Sequence, residues 1–245
     1  MNEMILRLTV LEETDSTNNY VAKALKEGCF EAGTAIMSRF QTQGRGQRGS
    51  IWQSRPGENL TFSFAVDVDF LPIHRSFLLS KAVSLGLCEA VASMTGVESK
   101  VKWPNDILAG KAKIAGILIE TKVLGSRYAV IGIGLNVNQT EFDPDFRATS
   151  LALELDRNVE VEKAAAVVIS HLNPRLDMLR KGAFEQINDD YNKVLHGYRS
   201  PVEFQTSERR FEGMITEVDE QGMLLVKSRQ GHAGVYAPKQ IQIRY

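Results

Sequence analysis

The chain has 245 residues, 29 Lys and Arg against 30 Asp and Glu, and a formal net charge of −1. That length suits one large domain, or one domain with a small appendage, and the near-zero charge disfavours a general nucleic-acid binder, which would carry a basic surplus. Two cysteines without C-x-x-C spacing (Cys29, Cys88) predict a reduced, cytoplasmic protein, and four scattered histidines exclude the usual zinc spacings.

In chain order, "MILRLTVLE" reads as a strand that runs into acidic residues too early for a signal peptide. "DSTNNYVAKALKEG" reads as a helix, with Asp15, Ser16 and Thr17 as caps and Gly28 as the stop. "GTAIMSRF" and the alternating "NLTFSFAVDV" predict strands. Residues 75–95 predict the longest helix, because Phe77, Leu78, Ala82, Leu85, Val91 and Met94 recur near the helical period. Three buried strands follow, "SKVKW", "KIAGILIETKVL" and "YAVIGIGLNV", and residues 160–195 are mostly helical with a kink or break at Pro174. From about residue 199 short strands alternate with polar turns, "DEQG" among them, which predicts a small β-barrel or sandwich. No uninterrupted apolar run approaches the roughly 18 residues of a membrane span.

Residues 41–54, "QTQGRGQRGSIWQS", place Gly44, Gly46 and Gly49 at the G-x-G-x-x-G spacing of a dinucleotide loop. That loop must leave a strand and open a helix, so that the helix N-terminus faces the pyrophosphate. Here Pro56, Gly57 and Asn59 follow, then a strand, so the context fails. Within residues 39–55, Arg39, Arg45, Arg48 and Arg55 occur with no acid. This is either a solvated basic loop or a clamp for carboxylate or phosphate, with Trp52 either in the core or stacked on a flat ligand. "KVKWPNDI" sets Lys102, Asn105 and Asp106 around a Trp-Pro corner, a turn held by local hydrogen bonds or a site for metal or amine. In "KIAGILIE", Lys113 precedes Gly116 by three residues, and a strand glycine marks close approach of a ligand or another backbone. "GIGLNVN" repeats the pattern with Asn136.

Taken together, "TDSTN", "QTQGRGQRGSIW", "KWPNDI", "KIAGILIE" and "GIGLNVN" resemble the biotin protein ligase family in order and spacing, and the tail resembles that family's SH3-like C-terminal domain. The resemblance spans nearly the whole chain. It implies an α/β (α+β) catalytic domain over 1–198, a mixed sheet flanked by helices as in class II tRNA synthetases, and a small SH3-like β-barrel over 199–245. It implies a two-step reaction. Biotin and MgATP form biotinyl-5′-adenylate, and the biotinyl group then passes to one lysine of a biotin carboxyl carrier domain. Carried over by position, Ser16, Thr17, Asn18, Gln41, Gly44, Arg45, Gly46, Gln47, Lys113 and Gly116 would serve biotin. Arg48, Trp52, Lys102, Asn105, Asp106, Lys113 and Asn136 would serve the nucleotide, and Arg45, Lys113 and Asp106 the chemistry. ATP and Mg²⁺ enter as a substrate complex, with no resident metal assigned.

Two departures stand out. Gln47 occupies a position where the family often has arginine, which implies a looser hold on the adenylate. The motifs also begin within about fifteen residues of Met1, which leaves no room for the N-terminal DNA-binding domain of family members that double as repressors. The expected protein therefore binds neither DNA nor membrane and is a monomer or homodimer. A lipoate or octanoate ligase and a non-catalytic biotin-binding module are the alternatives.

Overall fold

A computed structural model of the chain describes residues 4–145 and 147–244, with Arg48 described by its backbone alone. The main sheet has seven strands: β1 (Arg7–Thr14), β2 (Thr34–Gln41), β3 (Leu60–Asp67), β4 (Ser99–Lys102), β5 (Asp106–Ala109), β6 (Ala112–Leu124) and β7 (Ser126–Leu135). Their order is β1-β2-β3-β7-β6-β5-β4. Among these strands only β1 and β2 pair in parallel, so the sheet is mixed, as the family resemblance implies.

Period-two alternation gives the sheet two unequal faces. Phe62 and Phe64 on β3, and Ile131 and Ile133 on β7, enter the large core. There they meet α2 (Phe77–Thr95) and α4 (Val161–Arg180). The opposite face carries Ile36, Ala65 and Val130, covered by Val21 of α1 (Thr17–Lys26). A ten-residue helix cannot cover that face, and the uncovered half is where the cavity lies.

Three details differ from the sequence reading. Pro174 lies inside a continuous 20-residue α4. Val168, Leu172, Leu176 and Leu179 bury on both sides of the proline and hold the helix together, and it ends instead at Gly182, whose φ of 74° suits a left-handed stop. A short helix, α3 (Leu151–Leu155), was not anticipated; Ser150 caps it by accepting from Leu153 N–H at 3.3 Å. The Trp-Pro corner is a hairpin turn, with the Trp103–Pro104 bond cis and β5 as its unpredicted second strand. The composition of α2 would let it cross a membrane, but it is largely buried within the fold, with even Lys81 and Ser84 packed inside.

After α5 (Phe184–Val194) come β8 (Val202–Gln205), β9 (Arg210–Val218), β10 (Leu224–Ser228), β11 (Ala233–Tyr236) and β12 (Gln242–Arg244). They form an antiparallel sheet in the order β11-β10-β9-β8-β12. "DEQG" is the tight turn expected, with Asp219 Oδ1 accepting from Gln221 and Met223 N–H. This turn and the end of β9 seat the second sheet on α2 and on the corner that follows β4. Trp103 Nε1 donates to Gly222 O at 3.0 Å, Phe77 N–H to Glu220 O at 3.2 Å and Lys81 Nζ to Val218 O at 2.6 Å. Phe204, Ile215, Val218 and Leu224 share one apolar core with Leu78 and Val101.

Candidate active site

The cavity lies on the α1 face of the main sheet, and glycines shape its floor. Gly116 on β6 pairs with Gly134 on β7, and Gly132 stands two residues before it on the same face. A Cβ on Gly132 would lie 2.2 Å from Asn18 Oδ1, and one on Gly134 would lie 2.4 Å from the Trp52 indole. The glycines are needed for space. At Gly116, where sequence suggests approach of a ligand or another backbone, the neighbour is the Trp52 ring, which would meet a Cβ at 3.3 Å.

One end of the cavity is a buried polar network at the start of α1. Ser16, Thr17 and Asn18 are each under 5% exposed. Ser16 sits at the N-cap position, but its hydroxyl makes no capping bond. Asp15 accepts from Ser16 N–H at 2.7 Å and from Asn19 Nδ2 at 2.7 Å, and the Asn19 bond is the main reason its carboxyl titrates below the usual range. Thr17 N–H donates to Gln41 Oε1 at 2.8 Å, and the Thr17 and Ser63 hydroxyls are 2.7 Å apart. Ser63 donates to Asn18 Oδ1 at 2.6 Å, and Asn18 Nδ2 donates to Glu120 Oε2 at 3.0 Å. A short helix N-terminus with several small hydrogen-bonding side chains suits a neutral polar group on an otherwise apolar ligand.

The other end is cationic. Lys113 Nζ is 2.6 Å from Asp106 Oδ1 and 5.7 Å from the centroid of Trp52. The strand places it there by a register shift: Ile107 faces Ala115, but Leu108 faces Lys113. Regular alternation would put Lys113 and Gly116 on opposite faces; one extra residue in β6 turns Lys113 to the cavity side. Its backbone is fixed on the outer side too, with Lys113 N–H donating to Arg147 O and Thr149 N–H to Lys113 O, both at 2.9 Å.

Residues 44–52 form a hairpin-like loop across the cavity, with strand on either side as the sequence predicts. Trp52 N–H donates to Gly44 O at 3.0 Å and Gly46 N–H to Ser50 O at 2.7 Å, around a 3₁₀ turn at Gln47–Gly49. The basic segment is not a free cationic patch. Arg45 pairs with Glu120 at 3.0 Å and donates to Asn19 Oδ1 at 2.7 Å, Arg39 pairs with Glu162 at 2.8 Å, and Arg55 pairs with Glu141.

Of the residues expected from sequence, Ser16, Thr17, Asn18, Gln41, Arg45, Gly46, Gln47, Trp52, Asn105, Asp106, Lys113 and Gly116 line one cavity of about 220 Å³. Trp52 lies on its floor, beside the residues expected to serve biotin, with its indole N–H buried and unmatched within the chain. Gly44 lies at the base of the loop, where its carbonyl accepts from Trp52 N–H, and does not line the cavity. Lys102 and Asn136 are also off the wall. Asn136 donates to Thr149 O at 2.9 Å and so braces the segment that holds Lys113. The Arg48 side chain lies outside the described residues. Sequence reading missed Ser63, Glu120 and Lys239. Ser63 and Thr61 are the polar residues on the weakly covered face of β3, and Glu120 is the one acid in an apolar strand; those were the available signals. For Lys239 there was none.

This is a ligand-activating site on a mixed sheet, polar at one end and cationic at the other, beneath a glycine-arginine loop. The Biotin/lipoate A/B protein ligase family profile matches residues 10–138, and the chain belongs to that family. It is 34% identical over 230 residues to the biotin–[acetyl-CoA-carboxylase] ligase of Mycobacterium tuberculosis, covering 89% of this chain and 82% of that protein. It is 25% identical over 245 residues to the bifunctional ligase/repressor BirA of Bacillus subtilis, covering 97% of this chain and 73% of that one. The biotin protein ligase of Aquifex aeolicus in complex with biotin and ATP superposes with a TM-score of 0.80 at 25% identity, over 97% of this chain and 98% of that structure.

Proposed function

We propose that this chain is a biotin protein ligase: it activates biotin with ATP and transfers the biotinyl group to a lysine of a carboxylase's carrier domain. The observation that carries this reading is the polarity of the cavity, whose network at Ser16, Thr17, Asn18 and Gln41 faces a cationic end at Arg45 and Lys113. A ureido ring suits the first end and a carboxylate meeting an α-phosphate suits the second. Similarity to biotin ligases over most of the chain supports the same assignment.

In this reading a biotin carboxylate oxygen attacks the α-phosphorus and pyrophosphate leaves. The lysine amine then attacks the acyl carbon, and AMP departs. The chain supplies no nucleophile. Its contribution is positioning and offset of negative charge, by Lys113 and Arg45. Among the described residues there is no cluster of three metal-binding side chains, and Asp106 is the cavity's one carboxylate. That set fits a magnesium ion arriving with the triphosphate, since Mg²⁺ needs only one or two protein carboxylates beside phosphate oxygens. Asn105 and Asp106 are assigned to that complex, with Lys102 and Asn136 supporting it from outside the wall. Trp52 packs on the adenylate, and its unmatched N–H is a donor for the ligand. The cavity is smaller than the roughly 300–1,000 Å³ of ordinary ligand sites. A second recess of about 250 Å³ shares Gln47, Asn105 and Ile117 with it and extends the space open to the intermediate, and the loop excludes the water that would hydrolyse it. Residues 199–245 form the small C-terminal domain, and two free cysteines fit action in the reducing cytoplasm.

The test is incubation with biotin, MgATP and a carrier domain, followed by intact-mass analysis. One added biotin on the carrier is expected; pyrophosphate release with lipoate but not with biotin would overturn the assignment. Lys113→Ala is expected to abolish adenylate formation, by about 10²-fold or more, while thermal unfolding stays near that of wild type.

A further inference from the structure

Glu120 is not part of the cavity wall, yet its carboxylate bonds two residues that are. Oε2 accepts from Asn18 Nδ2 at 3.0 Å. Arg45 straddles both oxygens, with Nη2 3.0 Å from Oε1 and Nη1 3.3 Å from Oε2. An acid in an apolar strand, its side chain 19% exposed, needs such partners. A carboxylate only accepts hydrogen bonds, so Asn18 must turn its amino group to Glu120 and its carbonyl to Ser63.

The direction of the remaining hydrogen bonds follows from that one. Ser63 has a single hydroxyl proton, and the 2.6 Å contact to Asn18 Oδ1 takes it. The 2.7 Å contact between Ser63 and Thr17 therefore has Thr17 as its donor. Thr17 Oγ1 is also 3.1 Å from Gln41 Oε1, a longer contact that shares the same proton. Gln41 Oε1 is occupied by Thr17 N–H at 2.8 Å. The side-chain protons thus run one way, from Thr17 to Ser63, to Asn18, to Glu120. Thr17 and Asn18 line the cavity, and Asn18 Oδ1 lies against Gly132 on its floor, so both present oxygen lone pairs there. Buried acceptors need N–H donors on the ligand. A ring urea has two. The alkyl or dithiolane end of an octanoyl or lipoyl chain has none and would leave the acceptors unmatched.

We infer that Glu120 is a positioning residue for substrate selection: through Asn18 and Ser63 it sets the hydrogen-bond direction of the pocket, and with it the preference for a cyclic urea. This rests on the reading of the cavity as a biotin site. The test exchanges the two partners. In Glu120→Gln, Arg45 holds the amide oxygen, so the new NH2 group faces Asn18 and turns it over. Asn18 then donates to Ser63, and the line of protons reverses. Biotin affinity in equilibrium titration is expected to fall about tenfold or more, and in the pyrophosphate assay KM for biotin rises while KM for ATP does not. Asn18→Asp alone sets two carboxylates against each other and weakens biotin binding further. In the double variant the new amide donates to the new carboxylate, which again accepts from Ser63, so the original direction returns. Independent losses would add, whereas restored direction makes the double variant bind biotin more tightly than either single one. A double variant that does not, or a Glu120→Gln variant that binds biotin as wild type does, overturns the inference. A wild type that binds no biotin defeats the functional reading instead. The proton order is then decided in the unliganded protein, where NMR is expected to show a coupling across the hydrogen bond from Asn18 Nδ2 to the Glu120 carboxylate carbon; its absence overturns the inference.

Discussion

At the scale of single residues the site depends on atoms that are missing. Gly132 leaves room for Asn18, and a methyl group there would overlap Asn18 Oδ1 at 2.2 Å. Gly132→Ala is therefore expected to push Asn18 away from Ser63 and Glu120. Loss of one or two buried hydrogen bonds at about 1–3 kcal/mol predicts KM for biotin rising roughly 10- to 100-fold, with KM for ATP little changed. Steady-state pyrophosphate release at varied biotin and varied ATP measures the split, and equal effects on both would refute it. The sequence showed the glycines, the cap residues, Arg45 and Lys113, since each sits in a contiguous motif. It did not show that Asn18 leans on Ser63 and Glu120, 45 and 102 positions away, because such pairs exist only once strand order is known. Trp52 illustrates the same limit: the sequence left it either in the core or against a flat ligand, and did not show that it rests on Gly116 and Gly134.

At the scale of elements, packing overrode local preference where the two disagreed. Hydrophobic spacing located α2, and alternation located β3, but Pro174 did not break α4. Gly86 is the matching case on α2. An exposed helical glycine changed to alanine normally gains about 1 kcal/mol. Here a Cβ would lie 2.9 Å from His171 O and 3.0 Å from Leu172 Cα, backbone atoms of α4 that cannot swing aside. Gly86→Ala is therefore expected to destabilise by about 1–3 kcal/mol, measured by denaturant unfolding; a stabilised variant would show that the two helices separate easily. The extra residue in β6 that turns Lys113 toward Asp106 was invisible for a related reason: register belongs to a pair of strands, not to either sequence.

At the scale of the whole molecule, a buried ammonium ties helix α2 to α5 and to the second sheet. Lys81 is 2% exposed, donates to Asn188 Oδ1 and Val218 O, and lies 5.4 Å from the Tyr191 ring centroid. Burial lowers its pKa from 10.5 to about 8, against the pull of Glu217, Asp219 and Glu220. The unfolded chain thus binds the extra proton between those values. The charge opposes folding fully below pH 8, and that cost fades as pH rises to 10.5, by on the order of 3 kcal/mol. The unfolding free energy of wild type should therefore rise relative to Lys81→Met across that window, and parallel pH profiles would refute the assignment. The seam has one more consequence. The chain contains two tryptophans. Trp103 is 4% exposed and bonded to Gly222, whereas Trp52 lies on the cavity floor beside Lys113. One indole is held in the scaffold and the other lines the cavity, where a bound ligand changes its surroundings. The protein thus carries its own optical gauge: a steady fluorescent background from the seam, and a second emitter whose intensity follows occupancy of the site.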